Sequence, residues 1–159
     1  MCGIAGLIHK GKTVKIGYEL QNMLQALKHR GPDSTGFALY GEGHGNDYIM
    51  RFKVGENVKE GSSAVNEDKS VYDARKKRVD AHLKELGAEV INEEQITPYS
   101  FKYIMKYDGD LMEFSKTIES VEMVEILSIG KHLELVKDIG DAEVVSKQYS
   151  LDQIKGTHA

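Results

Sequence analysis

The amino-acid sequence predicts an α+β fold. Three observations carry the prediction. Between residues 14 and 30, Leu20, Met23, Leu24 and Leu27 recur at i, i+3, i+4 and i+7, the apolar stripe of an amphipathic helix. Two short runs with apolar and aromatic residues, FALYGEG (37–43) and DYIMRFKVG (47–55), lie around a GHGN turn and read as strands. Near residue 56 the composition shifts to the polar, turn-rich ENVKEGSSAVNEDKS, which sets off a second α+β segment.

Taken in order, GIAGLIH (3–9) reads as a short apolar strand buried on both faces, and KGKT (10–13) as a turn. The helix of 14–30 ends on Lys28, His29 and Arg30, where the helix dipole favours positive charge. Gly31 then offers a left-handed cap and Pro32 stops the ladder. The strands at 37–43 and 47–55 are expected to form a hairpin around GHGN. Beyond 56, SVYDARKKRVDAHLKELG (70–87) reads as a helix. Its inner face is Tyr72, Val79, Leu83 and Leu86, and Gly87 is its stop. Strands are expected at 88–92 and 100–107 and a helix at 109–120, with Leu111, Phe114 and Ile118 along one side. A hairpin is expected over 121–130 and 132–140, then a helix over 141–150, with LDQIKG leading out. The expected organisation is an N-terminal strand, helix and hairpin (1–55), an α+β insertion (56–150), and a return into the first sheet (151–159).

The chain has 159 residues, of which 40% are hydrophobic and 29% charged, with a formal net charge of -4. That balance lacks the basic face of a general nucleic-acid binder. No run approaches the roughly 18 apolar residues of a membrane span, and the N-terminus lacks the basic start of a signal peptide. Histidines at 9, 29, 44, 82, 132 and 158 show no metal-ligand spacing, so no metal or other cofactor is expected. The single cysteine cannot form an internal disulfide, which points to a reducing cytoplasm.

That cysteine is Cys2, next to the initiator methionine. A small side chain at position 2 permits removal of Met1. Cys2 would then carry a thiol and a free α-amine in one residue. The α-amine, with an ordinary pKa of about 7.7–8.0, suits general-base work near neutral pH. Gly3 and Gly6 allow the backbone close approach to a substrate. A lone cysteine also reads as a small, inert hydrophobe.

MCGIAG, followed about twenty residues later by HRGPDSTGFALYG, resembles the class II glutamine amidotransferases, the N-terminal-nucleophile hydrolases with an αββα sandwich. The family pattern, Cys-Gly-Ile-x-Gly and then Arg-Gly-x-Asp-(Ser/Ala)-x-Gly after a helix, falls on Cys2, Gly3, Ile4 and Gly6 and on Arg30, Gly31, Asp33, Ser34 and Gly36. The resemblance covers 1–55 and resumes at GTHA, similar to the lead-in to the family's Gly-His-Thr-Arg segment.

It implies that Cys2 is the nucleophile that releases ammonia from glutamine. Arg30 and Gly31 would support the substrate pocket, and Gly3, Gly6, Asp33 and Gly36 would be structural members of the two motifs. Arg30 reads equally as a solvated cation complementing the helix dipole, and Asp33 as a cap for its own turn. The long insertion resembles an amidotransferase subunit of the glutamate-synthase type, whose partner would be a synthase subunit that accepts ammonia.

The family's oxyanion donors come from a later Asn-Gly pair, each donor worth about 2.7–4 kcal/mol. Its glutamine clamp uses the arginine of Gly-His-Thr-Arg and a later aspartate. The chain is therefore expected to be the N-terminal portion of a longer subunit and inactive alone as a glutaminase. The alternative is a non-catalytic interaction or regulatory module on the same fold. Intact-mass measurement of protein made in cells is expected to show loss of one methionine residue. Retention of Met1 would leave the α-amine of Cys2 in a peptide bond, where it cannot act as a base.

Overall fold

The computed structural model describes residues 2–30, 33–56 and 67–159, so Met1, Gly31 and the prolyl stop at Pro32 lie outside the described residues. The fold is mixed α+β, with four α-helices and two antiparallel sheets among those residues. The chain divides into two compact units, Met1–Gly43 with His132–Ala159 and His44–Lys131. No helix among the described residues is long and apolar enough to cross a membrane.

In the first unit, α1 (Ile16–Ala26) follows the expected stripe, but not evenly. Ile16 and Leu20 are buried, while Met23 is 39% exposed. The helix stops four residues short of Arg30. Its last turn tightens into a 3-10 turn over Lys28–Arg30, with amides of Leu27 and Arg30 donating to the carbonyls of Leu24 and Leu27. Two strands far apart in sequence, β1 (Ser34–Gly41) and β6 (Leu133–Ile139), pair antiparallel from Ser34↔Ile139 to Tyr40↔Leu133. On the other edge of β1 lies β7 (Gly156–His158), giving the order β6-β1-β7. Phe37, Leu39 and Val136 are buried with Ile16, Leu20, Val145 and Leu151 in this unit's core. The helix α4 (Ala142–Gln148) starts at Asp141, whose side chain accepts from the amides of Glu143 and Val144.

The run 3–9 is not the buried strand expected. Pairing begins only at Leu7, whose amide and carbonyl both bond to Ala159, at 2.9 and 3.0 Å. Gly3–Gly6 lie outside any strand. Ile4 is 92% and Ile8 75% exposed. His9 Nε2 lies 2.7 Å from Glu19 Oε2, which ties the segment to α1.

The second unit is a four-stranded sheet of order β3-β4-β2-β5, built from β2 (Tyr48–Lys53), β3 (Glu89–Thr97), β4 (Ser100–Lys106) and β5 (Glu125–Gly130). One face carries Met50, Phe52, Phe101, Tyr103 and Met105, against Tyr72, Val79 and Leu83 of α2 (Lys69–Glu85) and Phe114 and Ile118 of α3 (Leu111–Ile118). Tyr103 packs edge-on to Phe52, ring centroids 5.0 Å apart. Both helices begin on aspartates, Asp68 and Asp110, whose side chains accept from amides of their first turns. Gly87, with φ +76, follows the end of α2.

Neither expected hairpin forms. β1 pairs with β6 and β7, whereas β2 pairs with β4 and β5. Likewise β5 and β6 lie in different sheets. Five consecutive residues of β2, Ile49–Lys53, are buried, so both faces of the strand are covered, and β4 and β5 flank its two edges. The two turns read as hairpins fall where the chain passes from one unit to the other.

The first unit depends on two close approaches. A Cβ on Gly17 would stand 1.8 Å from the Leu151 carbonyl oxygen, and one on Gly156 would stand 2.1 Å from that of Tyr40. The start of α4 is held differently. Lys28 Nζ lies 2.7 Å from Asp141 Oδ2. The ammonium, with the amide of Val144, holds the Asp141 carboxyl below the usual carboxylate range, and Asp141 in turn raises the Lys28 pKa.

Two outcomes are expected. Gly17→Ala is destabilising by about 1–3 kcal/mol or more in urea titration, although alanine favours a helix over glycine by about 1 kcal/mol. Asp141→Asn keeps an amide-capping side chain but loses the ion pair. Because the folded pKa of Asp141 is depressed, its stabilisation is full above the unfolded value and is lost as pH falls through the folded one. The stability gap between wild type and variant therefore narrows as pH falls from about 5 to about 2.

Candidate active site

Four stretches converge on one cleft of about 340 Å³ in the first unit: Cys2 and Gly3, the end of α1 with Lys28 and Arg30, Asp33–Gly36, and Asp141 with Ala142. Each is placed by a local cause. The N-terminal segment lies directly against the helix end, since a Cβ on Gly3 would be 3.1 Å from Leu27 Cβ and 3.4 Å from Arg30 Cβ. The missing side chain at position 3 thus lets Cys2 sit beside the turn that carries Arg30. The thiol of Cys2 is unpaired and the residue is exposed.

The opposite wall is where the β1–β6 ladder ends. The Gly140 amide donates to the Asp33 carbonyl at 3.2 Å, and Thr35 Oγ1 donates to the Gly140 carbonyl at 2.8 Å. Gly140 has φ +125, and a Cβ there would meet Val144 Cγ1 at 3.0 Å. Only glycine combines this backbone with the immediate start of α4. The turn delivers Asp141 to the cleft, its Oδ1 fixed by the amides of Glu143 and Val144 and its Oδ2 by Lys28.

Of the residues singled out from sequence, Cys2, Gly3, Arg30, Asp33 and Gly36 line this cleft. Gly36 contributes backbone without crowding, its nearest neighbour to an added Cβ being the Val136 carbonyl at 3.6 Å. Gly6 lies apart, against the Ala159 carbonyl, and Gly31 is outside the described residues. His29 is exposed and does not line the cleft. Sequence reasoning missed Lys28 and Asp141 as a pair. Each was legible as a helix-end residue, but nothing in a linear pattern joins a lysine at 28 to an aspartate at 141.

Chemically, the cleft offers an exposed thiol and a guanidinium suited to a carboxylate or to developing negative charge. Among the described residues, no three His, Cys, Asp or Glu side chains are grouped to hold a metal ion. A second hollow of about 220 Å³ adjoins it and shares Gly3, Leu24 and Gly36. Its lining includes Ile4, Leu20, Ala38 and Ala159.

No family model matches the chain. Over its full length the chain is 32% identical to a protein of Methanothermobacter thermautotrophicus named "Putative glutamine amidotransferase", and covers 50% of that protein. Over 79 residues, 45% of the chain, it is 39% identical to "Putative asparagine synthetase (glutamine-hydrolyzing) 2" of Methanocaldococcus jannaschii, covering 15% of it. The chain thus spans about half the length of the first relative and a small part of the second. It is similar to proteins whose names specify glutamine amidotransfer and glutamine hydrolysis.

Proposed function

We propose that the chain carries the nucleophile part of a class II glutamine amidotransferase site, with Cys2 as the N-terminal nucleophile of an αββα N-terminal-nucleophile fold. The observation that carries the reading is the meeting of the two sequence motifs at one cleft, Cys2–Gly3 from one and Arg30 with Asp33–Gly36 from the other. Similarity to the two relatives supports the same substrate, glutamine.

In this reading Met1 is removed and the α-amine of Cys2 takes the thiol proton. The sulfur attacks the side-chain amide carbon of glutamine. The tetrahedral adduct collapses as the C–N bond breaks, and the nitrogen leaves as ammonia with the proton returned by the amine. Water then attacks the γ-glutamyl thioester, which releases glutamate and restores the thiol. Arg30 supplies positive charge at the cleft. Gly3 supplies closeness between the N-terminal segment and the helix end, while Asp33 and Gly36 build the turn and strand of the wall. Gly31, between Arg30 and Asp33 in sequence, belongs to the same motif.

In the same reading, 151–159 is the return into the amidotransferase sheet. The segment read from sequence as an insertion distinguishes a glutamate-synthase-type subunit that passes ammonia to a synthase partner in the cytoplasm.

The test is labelling with a diazoketone analogue of glutamine, followed by peptide mapping. A single adduct on Cys2 is expected, suppressed by excess glutamine and absent from Cys2→Ala. Protein with Met1 removed that stays unlabelled at saturating reagent would instead favour a non-catalytic interaction module.

A further inference from the structure

The cleft beside Cys2 is lined by four charged side chains, Lys28, Arg30, Asp33 and Asp141. Two of them neutralise each other, with Lys28 Nζ 2.7 Å from Asp141 Oδ2. The partners are not held alike. The Asp141 side chain is 17% exposed and is fixed by the amides of Glu143 and Val144, at 3.1 and 3.0 Å. Lys28 is 53% exposed on a flexible four-carbon stem. Asp141 is therefore the anchor, and Lys28 is what it restrains. Among the described residues Arg30 has no carboxylate within ion-pair distance.

We propose that Lys28 and Asp141 are positioning residues of the Cys2 cleft: Asp141 withholds the Lys28 ammonium, so that a carboxylate-bearing substrate approaching the thiol meets the charge of Arg30 rather than of two cations. The inference rests on the reading of Cys2 as the reactive thiol of this cleft, and it adds the residues that set which charge the substrate meets. Removing either partner unmasks the other. Loss of Lys28 leaves a bare carboxylate in the cleft lining, and loss of the Asp141 charge leaves a second mobile cation.

Alkylation of the chain by iodoacetate and by iodoacetamide tests this. In both, the thiolate sulfur displaces iodide from a CH2 group. The C–S bond forms, the C–I bond breaks, iodide leaves, and the thiol proton goes to the buffer. Cys2 is the single cysteine, so every adduct on a cysteine sulfur reports this site. The two reagents use the same thiolate, so the ratio of their rates cancels changes in thiol ionisation and access. The ratio reads the local charge.

In low salt, Lys28→Gln is expected to lower the iodoacetate-to-iodoacetamide ratio about two- to fivefold, and Asp141→Asn to raise it by a similar factor, the size of one unit charge acting across a solvated cleft. The double variant is expected to return to the wild-type ratio. Because asparagine also caps a helix, Asp141→Asn retains the start of α4. A purely structural role would change both reagents' rates together and leave every ratio alone. Ratios that stay unchanged, or that shift in the same direction in both single variants, would overturn the proposal. Neither reagent requires glutamine turnover. Failure here leaves the amidotransferase reading to its own labelling test, and failure there leaves these ratios interpretable.

Discussion

The antiparallel ladder between Ser34–Tyr40 and Leu133–Ile139 is the constraint on which the candidate site depends. It pairs residues separated by the whole second unit. At its end it leaves Asp33 beside Gly140, which the Gly140 amide and the Thr35 hydroxyl lock together. Closing so long a loop costs only slowly more entropy with length, about 0.6 kcal/mol for each doubling. The segment between the strands also folds around its own aromatic core. The ladder therefore tolerates a large excursion of the chain without losing its register. Slipping that register by one residue would turn Phe37, Leu39 and Val136 out of the core.

Around this ladder, absent side chains do as much as present ones. Gly17 and Gly156 bring α1 and β7 into backbone contact with their neighbours, and Gly3 brings the N-terminal segment onto the helix end. The result at the cleft is an exposed thiol next to a cation-bearing turn, with a capped helix facing it. The charge there is balanced by an ion pair whose members belong to different helix ends. Solvation of Lys28 keeps that pair from acting as a structural clamp of much strength. Its consequence lies in the charge of the cleft.

Much of this was legible beforehand. The helices over 70–87 and 109–120 were readable because their inner faces, Tyr72, Val79 and Leu83 and then Phe114 and Ile118, repeat at helical spacing and are buried as that spacing requires. The two motifs that line the cleft were readable as motifs. Strand partnership was not. Alternation and β-propensity report that a residue run is extended and which faces are buried, but antiparallel neighbours in sequence need not be neighbours in a sheet. For β2 the neighbours are β4 and β5 rather than β1, a choice made only when the sheet forms. The N-terminal run is apolar enough to read as a strand, yet Ile4 and Ile8 are exposed, because apolar composition alone does not say whether a segment is covered.

The sequence by itself determined the α+β class, most helices, the glycine stop at Gly87, and the position of one thiol at residue 2. These follow from local periodicity and local hydrogen bonding, which act within a few residues. Only the tertiary structure decided which strands pair, how the chain divides into two units, and that Lys28 and Asp141 share a cleft with Cys2 and Arg30. Those are relations between residues far apart along the chain. They are settled by which apolar faces can be buried together, and a linear pattern holds no record of that choice.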